Sequence, residues 1–200
     1  MELKIYDSLS GQEKYLSETK NKTIRLFVCG PTVYDHSHIG HARTYIFFDF
    51  FAKYLKSLDK KIFYLQNITD IDDKIIKRAK EQNTDPLDFA KLMTKYYLSD
   101  MKTLEINSVT KYAPATKFIK QIEKQVKNLI KKGFAYKIEN DGWYFDIKNF
   151  PQYGKLSGRT AENAEDSVSR IDESIDKKNK GDFCLWKFKK YNEPFWRSKE

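Results

Sequence analysis

The sequence predicts an α/β chain: half of a nucleotide-binding domain, with a parallel sheet and flanking helices, followed by a smaller α+β module. Three observations lead there. Two short apolar segments, 23–29 and 61–66, flank a long helical pattern, so they read as parallel strands joined by a crossover helix. All three histidines lie within 36–41, between the first strand and that helix. In open α/β sheets ligands bind at this edge. After Gly133 the texture changes to short aromatic strands and charged loops.

The first strand, Thr-Ile-Arg-Leu-Phe-Val-Cys (23–29), is β-branched and ends at Gly30-Pro31, so it reads as a buried strand followed by a loop. From Ile39 to Leu58, Ala42, Tyr45, Ile46, Phe50, Tyr54 and Leu58 recur at steps of three and four, a helical period. Lys61–Gln66 is the second strand. Residues 71–80 form a helix, with Asp70, Asp72 and Asp73 read as capping acids at its positive end. A calcium loop is excluded, because Gly is missing at the sixth position and Lys74 stands at the fifth. Asp85-Pro86 opens a further helix, with Asp as cap and Pro at the first position. Thr116–Lys132 carries Phe118, Ile122, Val126 and Ile130 on one face, its lysines elsewhere, and Gly133 as stop. Residues 134–138 and 142–147 predict a hairpin across Glu139-Asn140-Asp141. The polar stretch 160–182 predicts a mobile loop, and 182–188 a last strand in which Cys184 is a small core residue.

With 40% hydrophobic and 15% aromatic residues the chain can bury a core, which excludes disorder as the main state. A net charge of +9 suits a partner that carries negative charge, or a Lys-rich surface with no such partner. No run of about 18 apolar residues exists, so no membrane span is expected. The opening residues lack a signal peptide's apolar stretch. A cytoplasmic, reducing location is therefore expected, with Cys29 and Cys184 as free thiols or metal ligands rather than a disulfide.

Between strand and helix the chain reads Cys29-Gly-Pro-Thr-Val-Tyr-Asp-His-Ser-His-Ile-Gly-His-Ala-Arg43-Thr44. A helix amino terminus offers free N–H groups and partial positive charge to a phosphate. Gly40 lets a base or ribose approach the backbone. His38 and His41, three apart, share a face of the first turn and are placed to donate to one phosphate. The same His-x-His-x-x-His spacing suits a transition metal. On spacing alone, metal, phosphate and structural roles stand equal.

The stretch resembles the class I aminoacyl-tRNA synthetase signature His-Ile-Gly-His in its cysteine-specific form, Cys-Gly-x-Thr-Val-Tyr-Asp-x-x-His-Ile-Gly-His-x-Arg-Thr, and matches it at every fixed position. A second block, Asn67-Ile-Thr-Asp-Ile-Asp-Asp-Lys-Ile-Ile-Lys-Arg-Ala79, resembles the same family. Shorter echoes follow in order: Gly133-Phe-Ala-Tyr136, Tyr153-Gly-x-Leu-Ser157, Asp182-Phe-x-Leu-Trp-Lys187 and Glu193-Pro-x-Trp196. The resemblance covers nearly the whole chain.

It implies the first half of a Rossmann-like catalytic domain over 1–115 and an inserted connective module, truncated, over 116–200. It implies a ligase that activates L-cysteine with ATP and magnesium and charges tRNA(Cys). His38, Gly40 and His41 would hold ATP, with His38 and His41 catalytic. Gly30, Thr32, Thr44, Asn67 and Thr69 would surround cysteine and its adenylate. Cys29 would be one ligand of a zinc ion that takes the substrate sulfur, a bond serine cannot match. His36 is given no role, and Cys184 is not needed. The family's remaining zinc ligands and its Lys-Met-Ser-Lys-Ser loop are not in this sequence, so activity of these 200 residues alone is not expected. The alternatives are an inactive fragment that binds tRNA or nucleotide, a related ligase joining cysteine to an amino sugar, and a metal module built on the histidines. Val33, where those sugar ligases tend to carry proline, favours the synthetase.

Overall fold

The computed structural model describes residues 3–16, 23–158 and 176–198. In chain order the elements are β1 (Lys4–Asp7), β2 (Gln12–Tyr15), β3 (Ile24–Val28), α1 (Ile39–Ser57), β4 (Ile62–Ile68), α2 (Asp73–Glu81), α3 (Pro86–Thr103), β5 (Lys111–Pro114), α4 (Ile119–Lys131), β6 (Ala135–Ile138), β7 (Gly142–Phe145) and β8 (Phe183–Lys187). Short 3-10 turns occupy Ala115–Phe118 and Ile147–Asn149. The chain divides into two compact units, one from 19–119 and 192–197, the other from 1–18, 120–191 and 198–200.

In the first unit, β3, β4 and β5 form a parallel sheet in that order, Ile24 opposite Ile62 and Leu65 opposite Lys111. Helix α1 connects β3 to β4, and α2 with α3 connects β4 to β5. Apolar residues at helical spacing, such as Ile75 and Ala79 on α2 or Phe89, Met93 and Tyr97 on α3, close over Val28, Tyr64 and Ile68 of the strands. The helices start where expected. Asp72 accepts from Lys74 N (2.9 Å), and Asp85 from Leu87 N (2.8 Å) with Pro86 behind it. Asp49, buried on α1, accepts from Asn107 N and Ser108 N and pairs with Lys53 at 2.7 Å. The loop leading to β5 is thus tied to α1.

Three expectations change. The strand at 23–29 is half-buried, not buried: Val28 is inside, but Arg25 and Phe27 are exposed, Phe27 at 61%. The packed helices cover one side of its alternating side chains, and among the described residues β3 pairs only with β4. Asp70 is no cap for α2; its carboxylate binds Thr116 instead. The segment from Thr116 begins as a 3-10 turn before α4 starts at Ile119.

In the second unit, β1 pairs antiparallel with β2, and β7 lies between β6 and β8 in an antiparallel sheet. Phe145 and Ile147 pack with Leu129 of α4, Phe134, Phe183 and Leu185. Cys184 on β8 is half-buried and, like Cys29, free of any disulfide. Most of the loop expected at 160–182 lies outside the described residues. Its end is held, because buried Asp182 accepts from Tyr136 Oη (2.8 Å), Ile147 N (3.0 Å) and Asn179 N (3.0 Å).

Candidate active site

Two groups of residues gather at the carboxyl edge of the parallel sheet. The first is a small polar cluster made by prolonging the strand pairing past β3 and β4. Thr32 bridges Thr69 in parallel register, Thr69 N donates to Pro31 O (2.9 Å), and Val33 N donates to Thr69 O (3.1 Å). Gly30 N donates to Asn67 Oδ1 (2.9 Å), and the Asn67 amide reaches Thr69 Oγ1 at 3.5 Å. A Cβ on Gly30 would lie 1.7 Å from Asn67 O, so the crossing is possible only for glycine. Cys29 stands beside it with an exposed thiol, Sγ 3.7 Å from Gly30 O. Gly30, Thr32, Asn67 and Thr69 are thus brought together.

The second group is the start of α1. His38 is the N-cap residue rather than part of the first turn, and its Nδ1 accepts from Gly40 N (3.0 Å). His41, at the third helical position, accepts from His38 N through its own Nδ1 (3.3 Å). The two residues form a reciprocal capping box, a role usually filled by Ser or Thr with Glu or Gln. Their rings stack with centroids 3.9 Å apart. Gly40 leaves room for this: a Cβ there would lie 2.8 Å from His38 Cε1. The space the sequence reading reserved for a base or ribose is taken by His38's own ring. Burial, then the charge of His38, holds the His41 imidazole below its ordinary range. Thr44 donates its hydroxyl to Gly40 O (3.1 Å), closing on its own helix rather than on the first group.

Tyr45 joins the two groups, and sequence reasoning counted it only as a helix-face residue. Its ring lies nearly parallel to that of His41, centroids 6.2 Å apart, and its hydroxyl donates to Cys29 O at 3.4 Å. Burial pushes that hydroxyl up to about 12, so it stays a donor at neutral pH. An aromatic residue one turn after the second histidine was the available signal.

The connecting loop is fastened from outside. Asp35 pairs with Arg78 of α2 at 2.9 Å, Lys74 lies over the Tyr34 ring at 5.1 Å, and His36 packs on Tyr96 of α3 at 5.0 Å. The second sequence block therefore serves twice, through Asn67 and Thr69 in the cluster and through Lys74 and Arg78 under the histidine loop.

Residues 15–199 match the family model for tRNA synthetases class I (C) catalytic domain. The chain belongs to this family. Among curated relatives, the cysteine–tRNA ligase of Thermoplasma acidophilum is 45% identical over 196 residues, covering 98% of this chain and 43% of the relative. That of Thermoplasma volcanium is 46% identical over 194 residues, covering 97% and 42%. That of Methanococcus maripaludis is 46% identical over 198 residues, covering 98% and 41%. The chain thus spans about two-fifths of the length of these synthetases. The crystal structure of a ternary complex of Agrobacterium radiobacter K84 agnB2 LeuRS with tRNA and LeuAMS superposes with a TM-score of 0.53 at 18% identity, covering 66% of this chain and 18% of that one. That likeness concerns the fold, the Rossmann-like α/β arrangement of a class I synthetase. No helix among the described residues is long and apolar enough to cross a membrane.

Proposed function

We propose that the protein carrying this chain activates L-cysteine with ATP to cysteinyl-adenylate and transfers it to tRNA(Cys). Residues 1–115 would supply the first half of its catalytic domain and 116–200 an inserted connective module. The observation that carries the reading is the junction at Tyr45, which joins an imidazole-capped helix start to a small polar cluster beside a free thiol. The helix start of α1, with His38, Gly40 and His41, takes the ATP phosphates; magnesium accompanies ATP as substrate. Gly30, Thr32, Asn67 and Thr69, with Thr44 on the helix, surround the small amino acid and its adenylate.

The reacting carboxylate is already an anion at neutral pH and needs no general base. His38 and His41 stabilise charge gathering on phosphate oxygens, and the framework positions the two substrates. Cys29 fits one ligand position of a zinc ion, because its thiol is exposed and its only hydrogen bond among the described residues is a long contact with Gly30 O. Among the described residues no group of three or more His, Cys, Asp or Glu side chains is placed to hold a metal ion. Zinc, when bound, would select a thiol over a hydroxyl. A cytoplasmic location is proposed with the activity, since that is where tRNA is charged.

The test is charging of tRNA(Cys) with labelled cysteine or serine by the full-length protein, wild type and Cys29→Ser. The reading expects charging with cysteine alone, and loss of charging in the variant. Cysteine joined to an amino sugar, with no charged tRNA, would move the protein to the sugar-ligase reading. Undiminished charging by Cys29→Ser would remove the thiol's role.

A further inference from the structure

The hydrogen bonds at the start of α1 constrain more than ring position. Both donors are backbone N–H groups, Gly40 N to His38 Nδ1 and His38 N to His41 Nδ1. The peptide plane sets the direction of an N–H, so each Nδ1 is the acceptor and carries no proton. A neutral imidazole with a bare Nδ1 holds its hydrogen on Nε2. Each ring therefore keeps one donor, Nε2–H, for a ligand. Protonation of either ring would set a hydrogen at Nδ1 against the N–H already pointing there, and that cap bond would be lost.

From this we infer that the nucleotide site works only with both imidazoles neutral, so that acid switches it off by dismantling the helix cap. The inference rests on the proposed ATP reading and adds its regulation. It runs against the simplest electrostatic expectation, in which imidazolium would bind an anion more tightly as pH falls. The stacking supports it, since two charged rings 3.9 Å apart would repel. The surroundings also disfavour charge on His41, since burial, and then the charge of His38, hold its imidazole below its ordinary range. On their own helix the pair is followed by Arg43 and by Tyr45, which is neutral up to about 12. On the preceding loop Asp35 is bound to His36 N and to Arg78 of α2, and His36 packs on Tyr96 of α3. Among the described residues no carboxylate forms an ion pair with either ring that would favour the imidazolium.

The test measures affinity of the full-length protein for magnesium ATP between about pH 8 and pH 5.5, in wild type and in a His38→Asn/His41→Gln double variant. Asn at the cap and Gln at the third position accept the same backbone bonds but do not titrate in this range. Wild-type affinity is expected to fall below the imidazole range, approaching about tenfold per pH unit for each excluded proton. The double variant binds more weakly at neutral pH and loses this dependence; the titration of ATP itself is common to both. Wild-type affinity that rises with acid, or an equal slope in the double variant, overturns the inference. A second measurement does not depend on ATP: nitrogen NMR of histidine-labelled protein, assigned with the single variants, should show both rings protonated on Nε2. A hydrogen on Nδ1 of either ring overturns the inference. Failure to bind ATP at any pH, with the Nε2 tautomers present, overturns the ATP reading and the switch built on it while leaving the cap geometry in place.

Discussion

Asp70 holds Thr116 by two bonds, accepting from its backbone N–H at 2.9 Å and from its hydroxyl at 2.5 Å, across 46 residues of sequence. Asp70 directly follows Thr69, and Thr116 lies in the turn after β5, so the pair clamps the end of β4 that carries half of the polar cluster. The carboxylate is buried. Asp70→Ala would leave the Thr116 N–H without an acceptor, and should cost about 2–3 kcal/mol in urea unfolding. Asp70→Asn keeps one acceptor and should cost less. Equal stability of Asp70→Ala and wild type would show that the clamp contributes nothing.

Gly30 makes a sharper case. An added methyl would meet the Asn67 carbonyl, which is backbone and cannot turn away. Gly30→Ala should lower stability by about 3 kcal/mol. Gly133→Ala is the comparison: its φ is +74°, but nothing lies within 4 Å of the new methyl. There only the left-handed backbone opposes the side chain, at about 1 kcal/mol. A Gly30→Ala loss no larger than that of Gly133→Ala would contradict the close crossing.

The first unit buries an unusual number of phenols. Tyr45 is pushed up to about 12, and Tyr64, Tyr97 and Tyr112 also rise, all chiefly by burial. In the unfolded chain these groups ionise near 10. The folded state therefore binds more protons above that pH, so their contribution is full below about pH 10 and falls as pH rises further. Tyrosinate absorbance should show these four silent until the chain unfolds, followed by a cooperative rise. Gradual ionisation of all thirteen tyrosines with the fold intact would contradict this.

At the acid end the sign is reversed. His41 is held below its ordinary value of 6.5 in the fold. Its contribution is complete above that value and is lost as pH falls through it towards the depressed value. His41→Gln, which keeps an acceptor for His38 N, should flatten the acid limb of a stability–pH curve measured by thermal unfolding. A limb that is unchanged in the variant would place the acid sensitivity elsewhere.

Much of the first unit was legible because its signals are local. The apolar period from Ile39 to Leu58 matches α1 to within a residue, and Asp85-Pro86 marks the start of α3. What escaped depends on distance or on uncommon chemistry. Strands β1, β2 and β5 have four residues each and lack the aromatic run and turn signal that mark β6 and β7, which are as short. Asp70 sits where a capping acid would, and only the folded chain brings Thr116 to it. The histidine cap was hidden because imidazole is a rare cap, so spacing placed both rings inside the first turn as outward donors. The motif block named residues that the fold gathers into two groups, while Tyr45, which links them, looked like one more apolar position on α1.

Cysteine-dependent exchange of labelled pyrophosphate into ATP by the full-length protein, with zinc present, bears most directly on the central claim. Exchange should occur with cysteine and not with serine, and should fall about a hundredfold or more in His38→Ala and in His41→Ala. Exchange that serine supports equally, or that survives both histidine replacements undiminished, would show that the two groups joined by Tyr45 are not where cysteine is activated.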